Sequence, residues 1–321
     1  MNEKSAVGAL LGVAVADAVG VPFEFLSQAK MSMNPATDMT GYGTHDQPPG
    51  TWSDDTSLTL CLAEALLEGL DLQSIASRFV AWKHQSYLTA HHELFDIGNT
   101  TSQAIGRLAD ILQKEAYNEL PRLREGATEM DNGNGSLMRI IPLLFYIKGK
   151  AIAEQFEIIW QVSALTHYHI RAAMSCLIYL RLAEHLLNGM DKHAAYEQMQ
   201  QDILQFWDAL PYPVLEQLHF QRIIQTDIRK YPYRSLKSGG YVIESIEASL
   251  WCFLQKDGFE QAVLAGINLG HDTDTTAAII GGLGGLYEGV EGIPEFWRVQ
   301  TARMEDIIDL GEKLDQKYLS A

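Results

Sequence analysis

Apolar residues recur at spacings of three and four along most of the chain, and strict alternation over the length of a strand is hard to find. Such spacing places the apolar side chains on one face of a helix. The segments 56–69 and 241–254 show it most clearly. Further helices are predicted near residues 5–18, 72–86, 99–114, 151–164, 169–188, 192–209, 259–268, 273–288 and 294–318. The pattern therefore predicts an all-α protein of about a dozen helices.

Two irregular stretches interrupt this helical pattern. Residues 27–50 and 126–136 are rich in glycine or proline, and neither resembles a flexible Gly/Ser linker. A length of 321 residues alone would allow two domains. However, the two most polar clusters lie near opposite ends of the chain and resemble each other, so we expect them to meet in one domain spanning residues 1–321.

The N-terminal segment has the outline of a secretory signal, with Lys4 before an apolar run at residues 8–15 and small residues at Ala16 and Ala18. We disfavour this interpretation because the apolar core is short and the acidic residues Asp17 and Glu24 follow closely. No stretch of about 18 uninterrupted apolar residues occurs, so no transmembrane helix is predicted from the sequence.

The charge balance is strongly acidic, with 41 Asp and Glu against 24 Lys and Arg and a formal net charge of −17. Such a surface repels phosphate backbones and anionic lipids, so nucleic acid and membrane are not expected partners. The three cysteines, Cys61, Cys176 and Cys252, are far apart and odd in number, which indicates neither a disulfide framework nor a zinc site. A cytoplasmic location is therefore expected.

Two short acidic clusters each precede an apolar helix, at residues 50–56 and 270–276. Ser, Asp and Thr are also the preferred residues at helix N-termini, so each cluster alone is compatible with a capping role. Together they contain more carboxylates than capping requires. Oxygen ligands without a nearby thiolate favour Mg²⁺ or Mn²⁺ over zinc. His271 fits better as a neighbour than as a ligand.

Three further segments carry polar residues that could have either a functional or a purely structural role. The glycine-rich turn at residues 132–139 could let backbone amides, Ser136 and Arg139 contact a phosphate, although Asn-Gly turns are common. Glu24 could be a surface acid, and Asp96 could cap the helix that follows it.

The order of these segments resembles the ADP-ribosylglycohydrolase family, closest in pattern to the dinitrogenase-reductase-activating type. The resemblance runs from about Gly8 to Gly289. It rests on residues 12–24, Ser53-Asp54-Asp55-Thr56, Asp96-Ile97-Gly98-Asn99, residues 133–139, Thr166-His167, Gly240-Tyr241 and residues 270–275. The two acidic motifs are specific as a pair. The chain departs from the family's pattern at two positions. Ala16 replaces a glycine that is common there, which we expect to affect packing, and His271 replaces a second common glycine.

The resemblance implies a compact, orthogonal all-helical bundle with a binuclear Mg²⁺ (or Mn²⁺) centre at the base of a cleft. By position, the implied metal ligands are Ser53, Asp54, Asp55, Asp272, Asp274 and Thr275. Glu24 and Asp96 match the family's catalytic acids. The implied substrate contacts are Asn132, Gly133, Asn134, Gly135, Ser136, Met138, His167 and Tyr241.

The expected function is that of a hydrolase that removes ADP-ribose from a modified protein side chain, above all arginine. Cleavage at the ribose anomeric carbon passes through an oxocarbenium-like state, which an activated water and a protonated leaving group assist. The alternatives are hydrolysis of serine-linked ADP-ribose or of a small ADP-ribose ester, and a non-catalytic ADP-ribose-binding or structural protein. All six implied metal ligands are present, which argues against a non-catalytic protein. Which acid is the general base stays open.

Overall fold

The structure is a computed structural model that describes residues 5–210 and 212–319. Within this part of the chain, the regular structure is helical, and only two isolated β-bridges occur, Tyr42 with Gln47 and Gly133 with Tyr241. The α-helices are α1 (Ala6–Gly20), α2 (Gln28–Met33), α3 (Asp54–Leu66), α4 (Leu72–Gln85), α5 (Asn99–Gln113), α6 (Leu143–Ile147), α7 (Ile152–Ser163), α8 (Ile170–Leu187), α9 (Lys192–Ala209), α10 (Val214–His219), α11 (Val242–Gln255), α12 (Phe259–Ile267), α13 (Thr273–Glu288), α14 (Glu295–Gln300) and α15 (Met304–Tyr318). The prediction of an all-α fold is confirmed.

One predicted helix is wrong in detail. The segment 294–318 forms two helices, α14 and α15, because the chain turns at Arg303, whose φ is +55°. Ala302 in this turn donates its amide to the Gly50 carbonyl at 2.9 Å and accepts the Trp52 indole at 2.9 Å. The turn thus anchors the chain just before α3. The short helices α2, α6 and α10 have five or six residues each, too few to show a hydrophobic period.

The centre of the fold is the contact between α1 and α13, where glycines let the two backbones touch. A Cβ atom on Gly12 would lie 2.2 Å from the Gly281 carbonyl oxygen, and one on Gly285 would lie 2.0 Å from the Gly8 carbonyl oxygen. Ala16 packs at the same interface, against Gly281, as its predicted role in packing requires. The contact places the end of α1 beside the start of α13, where the Thr273 hydroxyl donates to the Gly20 carbonyl at 2.8 Å.

The first helix is also long and apolar enough to cross a membrane, with a mean hydropathy of 1.9 over Ala6–Phe23. However, 89% of that window is buried inside the fold, mostly against α13 and its neighbours. Helices at the centre of a globular core have this composition because they face protein on all sides. The apolar N-terminal run is therefore explained by packing.

The three cysteines are buried free thiols, in line with the expected lack of a disulfide framework. They lie on α3, α8 and α11.

Candidate active site

A cleft of about 350 Å³ opens where the predicted polar segments meet. Its walls come from distant parts of the chain: the Glu24 loop, the start of α3, the segment before α5, the glycine loop at 133–138 and the start of α13. The predicted site residues that line it are Glu24, Asp54, Asp96, Gly133, Asn134, Gly135, Met138, His167, Asp272 and Thr275. The fold thus brings ten of the sixteen predicted residues to one surface.

The start of α3 is capped by its own Ser53, whose hydroxyl accepts from the Asp55 amide at 3.3 Å, and by Asp17 of α1. The Asp17 carboxylate accepts hydrogen bonds from the Ser53 amide at 3.0 Å, the Thr56 amide at 3.1 Å and the Thr56 hydroxyl at 2.6 Å. These bonds offset part of the burial that raises the pKa of Asp17 to about 6. Because Ser53 and Asp17 satisfy the helix terminus, the carboxylates of Asp54 and Asp55 are not needed as caps.

Asp55 and Asp274 lie directly under the cleft, each 1% exposed. One oxygen of Asp55, Oδ2, accepts from the Ser53 hydroxyl at 3.1 Å and the Thr275 hydroxyl at 3.2 Å. The other, Oδ1, is buried and has no hydrogen-bond partner. A buried carboxylate oxygen without a partner is costly, and a bound cation could supply the missing partner.

The carboxylates of Asp55 and Asp274, which form the floor of the cleft, are crowded by other acidic side chains. Oxygens of Asp17, Asp55 and Asp274 lie within 4.8 Å of one another, as do oxygens of Glu24, Asp272 and Asp274. Burial, reinforced by the neighbouring carboxylates, raises the pKa values of Asp54, Asp55 and Asp274 well above the usual range. A divalent cation would relieve this repulsion and hold the carboxylates ionised.

The two predicted catalytic acids, Glu24 and Asp96, face each other across the cleft mouth. Burial raises the pKa of Glu24 to about 7, and burial also raises the pKa of Asp96. Glu24 makes a short hydrogen bond to His45 Nε2. Asp96 is not a helix cap, because α5 begins after Gly98, which caps it without a side chain. Both acids line the cleft, where each could exchange a proton with a substrate.

The glycine loop packs against His167, and this contact explains the glycines. A Cβ atom on Gly135 would lie 2.6 Å from His167 Cε1 and 2.9 Å from Thr101 Oγ1, whereas the φ of Gly135 is not positive. Burial lowers the pKa of His167 to about 3, so its imidazole is neutral. The Thr166 hydroxyl lies 2.9 Å from its Nδ1.

Six predicted site residues lie outside the cleft wall. Asp55 and Asp274 form its floor, and Ser53 lines a small adjoining cavity with Asp54 and Asp96. The others are Ser136, which is fully buried and accepts from the Ser163 hydroxyl at 2.9 Å, Asn132, whose carbonyl accepts from the Val242 amide at 3.1 Å, and Tyr241, whose hydroxyl bonds Arg171 at 3.1 Å. An isolated β-bridge between Gly133 and Tyr241 joins the glycine loop to the start of α11.

Arg139, considered above as a phosphate ligand, is fully buried and points away from the cleft. It donates to the Gly135 carbonyl and lies 4.9 Å from the ring of Phe79. Its role is to brace the glycine loop. His271 contributes its backbone: its amide donates to Leu26 and its carbonyl accepts from Phe25, both at 2.6 Å, which holds the Glu24 loop.

Four residues at the site were not predicted: Asp17 as a cap of α3, His45 as the partner of Glu24, and Phe25 and Thr101 in the cleft wall. Asp17 and Phe25 are adjacent to residues that the sequence pattern indicated. No local pattern marks His45, because its contact with Glu24 joins residues 21 positions apart.

Comparison with known proteins gives a consistent result. The family model described as ADP-ribosylglycohydrolase matches residues 2–320. The ADP-ribosylarginine hydrolase Tri1 of Serratia proteamaculans is 31% identical, over 96% of this chain and 78% of its own. The ADP-ribosyl-[dinitrogen reductase] glycohydrolase of Rhodospirillum rubrum is 28% identical, over 91% of this chain and 88% of its own.

A solved structure, described as an ADP-ribosylglycohydrolase-related protein complex, superimposes with a TM-score of 0.78 at 28% identity, over 98% of both chains. The match covers the helices that carry both acidic motifs, so the likeness is one of the whole fold. The chain belongs to the ADP-ribosylglycohydrolase family and is a glycohydrolase.

Proposed function

We propose that this enzyme hydrolyses the N-glycosidic bond between ADP-ribose and an arginine side chain of a modified protein, at a centre of two Mg²⁺ ions. Relatives named ADP-ribosylarginine hydrolase, at 31% identity over 96% of the chain, support the choice of arginine. The observation that carries the proposal is the buried, unpartnered Asp55 Oδ1 at the floor of a carboxylate-lined cleft.

The residues at the floor fit a pair of hard divalent cations. The proposed ligands, all with oxygen donors, are Ser53, Asp54, Asp55, Asp272, Asp274 and Thr275. They come from the first turns of α3 and α13, or directly precede them, and no thiol or imidazole is among them. Such a donor set favours Mg²⁺, with Mn²⁺ as a substitute. When bound, the ions would orient the ribose diol and lower the pKa of a bound water or hydroxyl.

The chain's own groups account for binding the rest of the substrate. The loop at 133–135 presents backbone close to the cleft, where amides can donate to the diphosphate. The neutral imidazole of His167 adds a hydrogen-bonding group without adding a positive charge. Asn134 is oriented by its own bonds, since its side-chain amide donates to Asp272 at 2.7 Å and to Ser245 at 2.9 Å.

Bond cleavage requires that a water lose a proton and that the arginine leaving group gain one. Glu24 and Asp96 are the acids at the cleft mouth that can exchange these protons. The pKa of Glu24, raised to about 7, suits proton transfer near neutral pH, and burial raises the pKa of Asp96 in the same direction. We propose that they divide these two roles between them.

The test is mass spectrometry of an arginine-ADP-ribosylated protein and of a serine-ADP-ribosylated peptide, each incubated with enzyme and Mg²⁺. We expect release of free ADP-ribose and an unmodified arginine. Turnover of the serine linkage alone would contradict the assignment to arginine, although the protein would still be an ADP-ribosylglycohydrolase. Full activity in excess chelator would contradict the metal centre.

A further inference from the structure

The loop that carries Glu24 is held by three consecutive residues, Gly43, Thr44 and His45. Gly43, with φ +65°, lies so close to the Pro22 backbone that a Cβ atom would come within 2.0 Å of its carbonyl oxygen. The Thr44 hydroxyl donates to the Glu24 carbonyl at 2.7 Å. His45 Nε2 makes the short hydrogen bond to the Glu24 carboxylate. The segment is thus fitted to the backbone and the side chain of Glu24 together.

His45 also reaches the opposite side of the cleft mouth. Its ring centroid lies 5.9 Å from that of Phe25 and 5.3 Å from that of Phe95. These phenylalanines are the residues next to Glu24 and Asp96. Ligand atoms of Glu24, His45 and Asp96 all lie within 4.8 Å of one another. One imidazole therefore contacts both segments that carry the proposed catalytic acids.

This arrangement solves an electrostatic problem. Two carboxylates at such a separation repel each other unless a donor or a positive charge lies between them. Among the described residues, no Lys or Arg forms an ion pair with Glu24 or Asp96, and His45 is the basic partner of Glu24. The side chains of His45 and Glu24 are only 12% and 9% exposed, so solvent screens the pair weakly.

We propose that His45 is a positioning residue that holds Glu24 against Asp96 at the mouth of the cleft. Its imidazole donates to Glu24, and the rings of Phe25 and Phe95 fix its plane. Without it, the Glu24 loop moves away from Asp96 while the metal and ADP-ribose sites below stay intact. This inference rests on the proposed function, because it assigns His45 a task in the same reaction.

The test compares His45→Leu, which removes the donor, with His45→Gln, whose amide nitrogen reaches about as far as Nε2. We expect His45→Leu to lower kcat about 10- to 100-fold, the scale of a misplaced catalytic group, with little change in the Kd of ADP-ribose. His45→Gln should recover most of the loss. His84→Leu, at an exposed histidine of α4, is the matched control and should leave kcat unchanged.

A double variant separates positioning from packing. If His45 acts through Glu24, Glu24→Gln combined with His45→Leu should be no slower than Glu24→Gln alone. Multiplied losses in the double variant, or equal losses in His45→Gln and His45→Leu, would overturn the proposal. So would a wild-type kcat in His45→Leu.

A second readout does not need turnover. Trypsin, whose target Lys30 is the same in all three proteins, should cleave within residues 22–50 several times faster in His45→Leu than in wild type, and His45→Gln should resist it. Equal cleavage rates in all three proteins would overturn the proposal. A wild-type enzyme inactive on both arginine and serine linkages would contradict the proposed function, whereas the cleavage rates would still decide the placement of Glu24.

Discussion

Two groups of carboxylates in this protein, one at the cleft floor and one around Arg181, differ in how fully their oxygens are hydrogen-bonded. Around Arg181, on α8, all four carboxylate oxygens of Glu184 and Asp202 have donors. Those donors are the Gly149 amide, Gln155, Arg181, His185 and Gln198, at up to 3.1 Å. At the cleft floor, by contrast, Asp55 Oδ1 has none.

The pKa values follow the same division. The bonds from His185 and Arg181 outweigh burial and hold the pKa of Asp202 below its usual range. Burial raises the pKa values of Asp54, Asp55 and Asp274 instead, and neighbouring acids add to the effect. The Arg181 cluster is complete within the chain, whereas the cleft floor lacks a counter-charge. The difference is what the proposed metal site requires, since a cation would supply the missing counter-charge.

The largest expected effect comes from removing that cation. Excess chelator, Asp55→Ala and Asp274→Ala should each lower activity by about 1000-fold or more, because several kcal/mol of charge stabilisation is lost. Measurement of ADP-ribose release with Mg²⁺ restored checks this. Restoring Mg²⁺ should bring back the activity of the chelated wild-type enzyme, whereas both variants should stay inactive with Mg²⁺ present. If Asp55→Ala retained activity, the carboxylates at the cleft floor would not be required for catalysis.

The next largest loss of activity is expected when a proposed catalytic acid is replaced and the carboxylates at the cleft floor are left unchanged. Glu24→Gln should reduce turnover at least about 100-fold and still bind Mg²⁺ and ADP-ribose, since its carboxylate acts in proton transfer. Asp96→Asn should change the ratio of arginine to serine turnover. Steady-state kinetics on both linkages and calorimetric titration check these outcomes. Wild-type rates for both variants on every linkage would contradict the assignment of the two acids.

The contrast between the clusters also predicts opposite shifts in stability for the ion-free protein at pH 7. Asp202→Asn should lower the free energy of unfolding by about 1–3 kcal/mol, because it breaks a partly buried, hydrogen-bonded pair. Asp274→Asn should raise it, because it removes a repelling buried charge. Denaturant unfolding in chelator measures both.

The pH dependence has the corresponding sign. Because the pKa of Asp202 is lowered on folding, its contribution is fully present above its unfolded value, near 3.8, and is lost as the pH falls through its folded pKa. The gap between wild type and Asp202→Asn should therefore close in acid. The pKa of Asp274 is raised, so its cost to the ion-free protein appears as the pH rises above 3.8. Destabilisation by Asp274→Asn would refute this account.

The smallest effect tests the glycine loop beside the floor. A Cβ atom in Gly135→Ala would press on His167, so the affinity for ADP-ribose should fall about 10-fold while bound Mg²⁺ is retained. Gly106→Ala on α5, where a Cβ atom meets nothing within 4 Å, is the control and should bind normally. Calorimetric titration corrected for the folded fraction measures both. Unchanged affinity in folded Gly135→Ala would mean that the loop and His167 are not ligand contacts.

Much of the site could be predicted because its residues lie in short, distinctive segments. The periodic apolar residues located the long helices, and the surplus of carboxylates before α3 and α13 marked the floor. The sequence pattern could not separate capping from metal binding, since Ser, Asp and Thr serve both. The structure separates the two roles, because Ser53 and Asp17 of α1 cap α3, whereas Asp55 keeps a carboxylate oxygen without a partner.

The helical class, the approximate helix ends and the chemistry available in each segment follow from the amino-acid sequence, since these depend on neighbours within one or two turns. Which polar side chains face the cleft depends on how the helices pack. Ser136 and Arg139 point into the core, and His45 contacts Glu24, 21 residues away in the chain. The close approach of α1 and α13 at Gly12 and Gly281, with the bonds from Asp17 of α1 to the start of α3, brings the two acidic motifs together. Such contacts join residues far apart in the chain, and packing of the whole core fixes them.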